Sequence, residues 1–513
     1  MSRVGVLVAS FSGKSESFWV ATLAEGALEH PPLGADTAVD VAIVGGGIVG
    51  LTAAALLQRA GKRTAVIEAR RIGQQVTGRS TAKITSQHGL IYQQLEKSFD
   101  ENTARAYGAA NQAGLERIVR FVEELGIDCA LERKSAYVYS RTGEQLSDVE
   151  KEAELARSLG LPASLVRETS LPFPVAGAVR FDDQAQFNPC RYALGLARAI
   201  LDGGGQIFEG TRALSIEHGE PCRVTTGRGI VTARDVIEAT HLPLGKEGMF
   251  FAKAYPYAHP MVAARIDPVR APDGMFISAA EPTHSIRTAK REDEIWLVAV
   301  GNSYKPGHPD DEMEAFEDLT AFLRDEFGVG SIDYRWTNED YESMDGLPFI
   351  GRATSSAAHL FVATGFNAWG ISNGTVAGMI LSDLIAGRSN PWAEIFDATR
   401  VKPLAGGASF VTENLGTGAQ LVGGYVRGRP SSTDDLQPGE AAVLKLDGKR
   451  YAVFKDEQGN VHAVSAACTH LGCILGWNPV DRTWDCSCHG SRFAIDGRVI
   501  HGPATADLDR RGV

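Results

Sequence analysis

The chain's 513 residues predict three parts: an α/β domain built on a dinucleotide-binding βαβ unit, an antiparallel sheet inserted into it, and a small all-β domain at the C-terminus. Three observations predict this. Near the N-terminus stands a strand, a glycine turn, a helix and a second strand closed by an acid. The stretches 130–180 and 250–300 lack the βαβ rhythm but carry strand-like pieces, Ala136–Tyr139 and Ile295–Val300. The C-terminal region opens with two alternating stretches, Ala442–Leu446 and Tyr451–Lys455, around Asp447-Gly448, a hairpin signature.

The N-terminal unit runs from the apolar Val39–Val44 through Gly45-Gly46-Gly47-Ile48-Val49-Gly50 and an Ala/Leu-rich stretch ending near Gly61, to Thr64–Ile67 and Glu68. In this G-x-G-x-x-G pattern Gly45 makes the tight turn, Gly47 lets the backbone approach a pyrophosphate, and Gly50 lets helix pack on strand. The helix N-terminus offers free N–H groups and the positive end of its dipole to phosphates. Glu68 lies eighteen residues past Gly50, where a carboxylate can accept from a ribose hydroxyl. Residues 41–57 are apolar enough to suggest a membrane span, but three adjacent glycines and the surrounding unit fit a buried strand and helix better. Gly203-Gly204-Gly205 has no preceding buried strand, so a second nucleotide unit is not expected.

Near the other end stand Cys468-Thr469-His470-Leu471-Gly472-Cys473 and Cys486-Ser487-Cys488-His489-Gly490-Ser491. Read as ligands, they give C-x-H, fifteen residues, then C-x-x-H. Two thiolates and two imidazoles on paired loops suit a Rieske [2Fe–2S] centre, in which His replaces Cys on one iron and raises the reduction potential. A structural zinc site is the alternative on the residues alone, although six candidate ligands for four places suit it less well.

These strings resemble the Rieske family. The resemblance implies Cys468, His470, Cys486 and His489 as iron ligands and a Cys473–Cys488 disulfide tying the loops. Ser487 stands where the family often has Pro, and Phe493 where high-potential members carry Tyr. Ser491 can still donate to sulfur and Phe493 cannot, so an intermediate potential is expected. Gly502-Pro503-Ala504 looks like the family's proline loop over the cluster.

Residues 38–400 resemble the flavoproteins that include D-amino-acid and glycine oxidases and sarcosine and dimethylglycine dehydrogenases, and within them a subgroup with a C-terminal Rieske domain. The segments that carry the likeness are Glu68-Ala69-Arg70, Thr77–Lys83, Thr81–Thr85 with Gln87-His88-Gly89, Val236–Thr240, Asp345–Gly351 and Val362–Ile371. The resemblance implies an FAD-binding Rossmann-like domain with an inserted antiparallel-sheet substrate domain. It implies FAD contacts at Gly45, Gly47, Ile48, Gly50, Glu68, Ala69, Arg70, Thr81, Ala82, Lys83, Ala213, Thr240, Gly365, Gly370 and Ile371. Arg287 falls where several members bind a substrate carboxylate, with a purely structural arginine as the alternative. His88, near the flavin loop, is a candidate for contact with the ring or substrate, or for covalent attachment to FAD. His259, Tyr255 and Tyr257 are expected at the core or rim of the pocket, and Lys305 and His308 are weaker candidates.

The expected division is an irregular lead-in over 1–37, the FAD-dependent oxidoreductase over 38–401, a linker over 402–432 and the Rieske domain over 433–513. Within the oxidoreductase, FAD-binding parts fall near 38–90, 185–245 and 340–400, and substrate parts near 130–180 and 250–335. Apolar content of 44% and a net charge of −12 argue against nucleic acid or an anionic membrane as partner. No membrane span is expected. No small-x-small site clearly follows Val4–Ser10, so a cytoplasmic rather than secreted protein is expected. Cys129, Cys190 and Cys222 are expected to be buried or idle thiols.

A one-electron cluster and a hydride-accepting flavin in one chain imply a dehydrogenase: an amine or amino acid reduces FAD at a C–N bond, and electrons pass to the cluster and on to an acceptor (a protein, a quinone or O₂). The alternatives are an O₂-using amine oxidase with an accessory cluster, and a non-catalytic redox relay or sensor.

Overall fold

The computed structural model describes residues 12–24, 29–400 and 432–511. Most of the expected linker and the run Val4–Ser10 lie outside the described residues.

A mixed sheet holds the nucleotide-binding unit. Its order is Phe349–Arg352, Leu360–Thr364, Gly229–Glu238, Thr37–Val44, Thr64–Ile67, Gln206–Phe208. Thr37–Val44 runs parallel to both neighbours. Val41, Ala42 and Ile43 are wholly buried, as suits a parallel strand covered on both faces. Helix Ile48–Arg59 follows directly and packs on Gly370–Ile385. Small residues permit this approach: a Cβ on Gly378 would sit 2.7 Å from the Thr52 side chain.

The inserted domain is a ten-stranded sheet, largely antiparallel, centred on Ala254–Arg265 between Tyr334–Ser343 and Glu294–Val300. The pieces 136–139 and 295–300 fall within its strands Glu132–Ser140 and Glu294–Val300. The C-terminal domain is all-β and antiparallel, with three strands over Ala441–Ser465 and four short ones between Gly476 and His501. The hairpin over 441–455 is present.

The lead-in is less irregular than expected. Lys14–Ser15 pairs with Tyr334-Arg335, and Ser17 caps a one-turn helix, Phe18–Ala21, that buries Phe18 and Trp19. Two paired residues and one turn are too short for any periodicity to register. No helix among the described residues is long and apolar enough to cross a membrane.

Candidate functional site

A cavity of about 320 Å³ opens where the glycine turn meets the ten-stranded sheet. Gly45 adopts φ +111°, and a Cβ there would stand 2.3 Å from the Ala239 carbonyl oxygen. On Gly50 it would stand 2.1 Å from the Gly45 oxygen. The close turn therefore requires glycine at both positions. Gly47 is the helix N-cap and supplies no side-chain cap; the Ile48 N–H donates to Thr77 Oγ1 (3.0 Å), and the glycine turn lines the cavity. Glu68 is buried, and its carboxylate accepts from the N–H groups of Gly46 (2.8 Å) and Arg70 (2.7 Å). Burial raises its pKa despite these bonds. This glycine cradle with a fixed carboxylate fits the pyrophosphate and ribose of FAD.

Of the expected FAD contacts, Gly45, Gly47, Ile48, Glu68, Ala69, Arg70, Thr81, Ala82, Lys83, Ala213, Thr240, Gly370 and Ile371 line this cavity. Gly50 and Gly365 do not. Gly50 supports the turn from behind, and Gly365 abuts Ser343. Lys83 Nζ donates to the Phe276 carbonyl (2.7 Å) and to Ser285 Oγ. Burial, and then the Arg287 charge, hold its pKa well below the usual lysine value.

The two catalytic candidates stand elsewhere. Arg287 Nη1 donates to the carbonyls of Ala82 (2.8 Å) and Phe187 (3.2 Å), and the guanidinium sits over Trp19. It lines a separate, smaller cavity, and burial pulls its pKa down to about 9. The expected substrate-carboxylate role is thus corrected: the guanidinium braces the loop at Ala82. His88 also lies behind the wall. Its Nδ1 meets the Tyr107 hydroxyl (2.5 Å) and its Nε2 meets the Thr85 carbonyl (2.8 Å) and Ser372 Oγ (3.0 Å). Its ring stacks on Trp369, which does line the cavity. Burial drops its pKa to about 3, so it is a neutral support with both nitrogens engaged, not a free attachment point. His259 lines the cavity, whereas Tyr255, Tyr257, Lys305 and His308 do not.

In the C-terminal loops, His470 Nδ1 and His489 Nδ1 are buried without a hydrogen-bond partner, and the two rings stand 4.9 Å apart at 89°. Burial lowers both to about 4, which keeps them in the neutral form a metal requires. Cys468 and Cys486 are free and buried beside them. Two orphaned imidazole nitrogens and two free thiols are the donor set of a Rieske cluster. Cys473 and Cys488 form a disulfide. The sulfurs of Cys473, Cys486 and Cys488 lie within 4.8 Å of one another, but bridging removes two of them as ligands. Ser491 Oγ accepts from the Ala504 N–H (3.1 Å), which joins it to the proline loop and leaves its own proton for the nearby Cys468 sulfur. Phe493 is fully buried.

The two sites meet along one strand, Tyr334–Ser343. Side chains alternate across a strand. Asn338 and Asp340 line the flavin cavity, while Glu339 and Tyr341 meet the C-terminal domain. Tyr341 is fully buried and its hydroxyl donates to the His489 carbonyl (2.7 Å). The Tyr341 ring stands 4.5 Å, edge to face, from His241, a cavity residue. Arg492 faces Asp481 (3.0 Å), Asp485 (3.1 Å) and Glu339 (3.4 Å), and Arg79 reaches Asp481 (2.8 Å). Phe251 stands edge-on to both His470 and His489. From the C-terminal domain, Ile500, His501, Gly502 and Thr505 complete the cavity wall. Sequence reasoning missed His241 and His501. The only signal was adjacency, since His241 follows the Ala239-Thr240 segment and His501 precedes Gly502-Pro503.

These features define a flavoprotein fused to an iron–sulfur domain. The chain belongs to the FAD dependent oxidoreductase family, whose model matches residues 40–384, and a Rieske [2Fe-2S] domain matches residues 430–510. Its cofactors are FAD and a Rieske-type [2Fe–2S] cluster. It is similar to YhfW of Bacillus subtilis (strain 168), named for a Rieske 2Fe-2S iron-sulfur protein, at 35% identity over 480 residues covering 93% of this chain and 94% of that one. It is also similar to gamma-glutamylputrescine oxidoreductase of Escherichia coli (strain K12), at 27% identity over 70% of this chain and 85% of that one. In fold it is similar to glycine oxidase from Geobacillus kaustophilus (TM-score 0.57, 20% identity, 71% of this chain and 100% of that one). L-proline dehydrogenase from P. horikoshii gives 0.58, at 20% identity and 72% and 98% coverage.

Proposed function

We propose that the protein is an amine dehydrogenase that oxidises a C–N bond in the flavin cavity and sends the electrons through its own Rieske cluster to an external acceptor. The observation that carries this reading is the contact from the cavity wall at His241, through the Tyr341 ring, to the carbonyl of the cluster ligand His489. FAD supplies a hydride acceptor able to release electrons singly, which the cluster requires. An alkylammonium that loses two electrons and two protons becomes an iminium ion, so each turnover reduces the cluster twice.

The wall contributed by the ten-stranded sheet favours an amine over an α-amino acid. It carries the carboxylates Glu281 and Asp340, whereas the guanidinium-bearing residues that line the cavity, Arg70, Arg71 and Arg212, come from outside that sheet, and Arg287 is engaged elsewhere. The relative named for gamma-glutamylputrescine is consistent with this. Lys83 Nζ, discouraged from charging by burial, can take the proton of the substrate ammonium. Buried Met261, flanked by half-buried His259 and Val300, excludes water. We further infer a cytoplasmic setting, with burial shielding the Cys473–Cys488 bridge from reductants, and a domain boundary within 402–432.

The test is anaerobic addition of a panel of amines and their α-carboxylated counterparts. Bleaching of the flavin absorbance followed by the EPR signal of the reduced cluster is expected with amines. A panel in which nothing bleaches the flavin refutes the reading, and one in which only the carboxylated members do so refutes the choice of amine.

A further inference from the structure

Amine oxidation frees protons as well as electrons, and an iron–sulfur cluster carries off only the electrons. The structure offers a separate way out. His241 is held in the left-handed region, φ +73°, a conformation costly for a non-glycine residue and tolerated where the surroundings fix it. What fixes it is a pair of contacts. Its Nε2 stands 3.0 Å from Asp340 Oδ1, and its Nδ1 stands 3.1 Å from Nε2 of His501. Asp340, His241 and His501 all line the flavin cavity, and His501 also lines a second cavity of about 220 Å³ between the domains. That volume holds several waters.

Glu339 lines the second cavity. It is 4% exposed and neither carboxylate oxygen has a hydrogen-bond partner, although Arg492 Nε stands 3.4 Å away. A buried carboxyl that accepts no hydrogen bond from the protein, set against a roomy cavity, is one that water serves. At the far side the cavity is bounded by exposed Ser15 and Glu16.

We propose that His241, His501 and Glu339 form a proton outlet from the flavin cavity to the solvent between the two domains. The proposal rests on the reading of the cavity as a site of C–N oxidation. For each substrate, two electrons leave for the cluster and two protons remain to be discharged. One proton occupies the gap between the imidazoles. When His241 takes a second, the Asp340 carboxylate offsets the charge, and the Nδ1 proton shifts to His501 Nε2. His501 discharges it into the cavity water, and Glu339 passes it towards Glu16. Burial pushes the Glu339 pKa up to about 8, which suits it to hold a proton near neutral pH, and keeps His501 neutral, so that His501 hands a proton on rather than retaining it. The guanidinium groups facing the route are set against carboxylates: Arg492 against Asp481, Asp485 and Glu339, Arg79 against Asp481, and Arg71 against Glu29 and Glu209. Arg70 also lines the route, and the charges of Arg492, Arg212 and Arg79 add to burial in keeping His501 neutral, so a proton that reaches it is driven onward into the cavity water.

The test uses the holoprotein, photoreduced without any amine, then mixed with ferricyanide in weakly buffered solution containing a pH indicator. Ferricyanide takes electrons and no protons. In the wild type, acidification is expected to keep pace with recovery of the flavin absorbance. In His501→Gln and in Glu339→Gln it should lag by about tenfold or more, and added imidazole should restore it. The cluster EPR signal checks that each variant is correctly assembled. Acidification at the wild-type rate in both variants overturns the proposal. So does a lag that imidazole fails to relieve, which marks a merely structural role. Because no amine takes part, this outcome is independent of whether any amine reduces the flavin.

Discussion

Replacing Tyr341 by Phe isolates one atom of the junction between the two redox sites. The ring remains, and with it the edge-to-face contact to His241 at 4.5 Å. Only the hydroxyl that donates to the His489 carbonyl at 2.7 Å is lost. The site is fully buried, so the carbonyl loses a partner that water does not readily replace. Such a loss costs about 1–3 kcal/mol, which shifts the balance between docked and separated domains by about five- to 150-fold. Arg79 with Asp481, and Arg212 with the Val499 carbonyl (3.0 Å), still hold the domains, so the variant should fold with its cluster intact. The assay is rapid photoreduction of the flavin under anaerobic conditions, with the appearance of reduced cluster as readout. Arg79→Met serves as comparator, because it weakens docking without touching the line from His241 to His489. Transfer slowed in Tyr341→Phe and much less in Arg79→Met supports a route through the tyrosine. Equal slowing in both assigns the effect to docking alone, and an unchanged rate in Tyr341→Phe refutes the reasoning.

Three other predictions follow from the same geometry. Phe493→Tyr should raise the cluster potential in a redox titration, by adding a second hydroxyl beside that of Ser491; no upward shift would remove that argument. Gly45→Ala should empty the flavin site, because its Cβ would stand 2.3 Å from the Ala239 oxygen at φ +111°; full flavin content in the purified variant would contradict it. Glu339 has a folded pKa raised to about 8 from an ordinary value of 4.5, so the folded protein keeps a proton that the unfolded chain has shed. This group's contribution to stability is therefore full below about pH 4.5 and is lost as pH rises through 8. Glu339→Gln should raise Tm relative to wild type more at pH 8 than at pH 5, and an equal difference at both would refute the assignment.

What the sequence made legible was local. The iron ligands and the glycine cradle sit in short strings whose spacing carries the chemistry, and His470, His489, Gly45 and Glu68 stand where those strings imply. What escaped it depends on distant pairings. The expectation for Arg287 failed because a long side chain on a known strand can reach several partners, and here the carbonyls of Ala82 and Phe187 take it. His241 and His501 are 260 residues apart, and neither has a motif of its own. The strand Tyr334–Ser343 is the clearest case. Its residues carry no signature, yet alternation turns Asn338 and Asp340 to the flavin cavity and Glu339 and Tyr341 to the cluster domain. A one-residue slip in its pairing with Ala254–Arg265 would exchange those faces and move Tyr341 off the cluster loop. The ten paired positions of that ladder thus do more than build a sheet: they decide which groups face the chemistry and which face the iron.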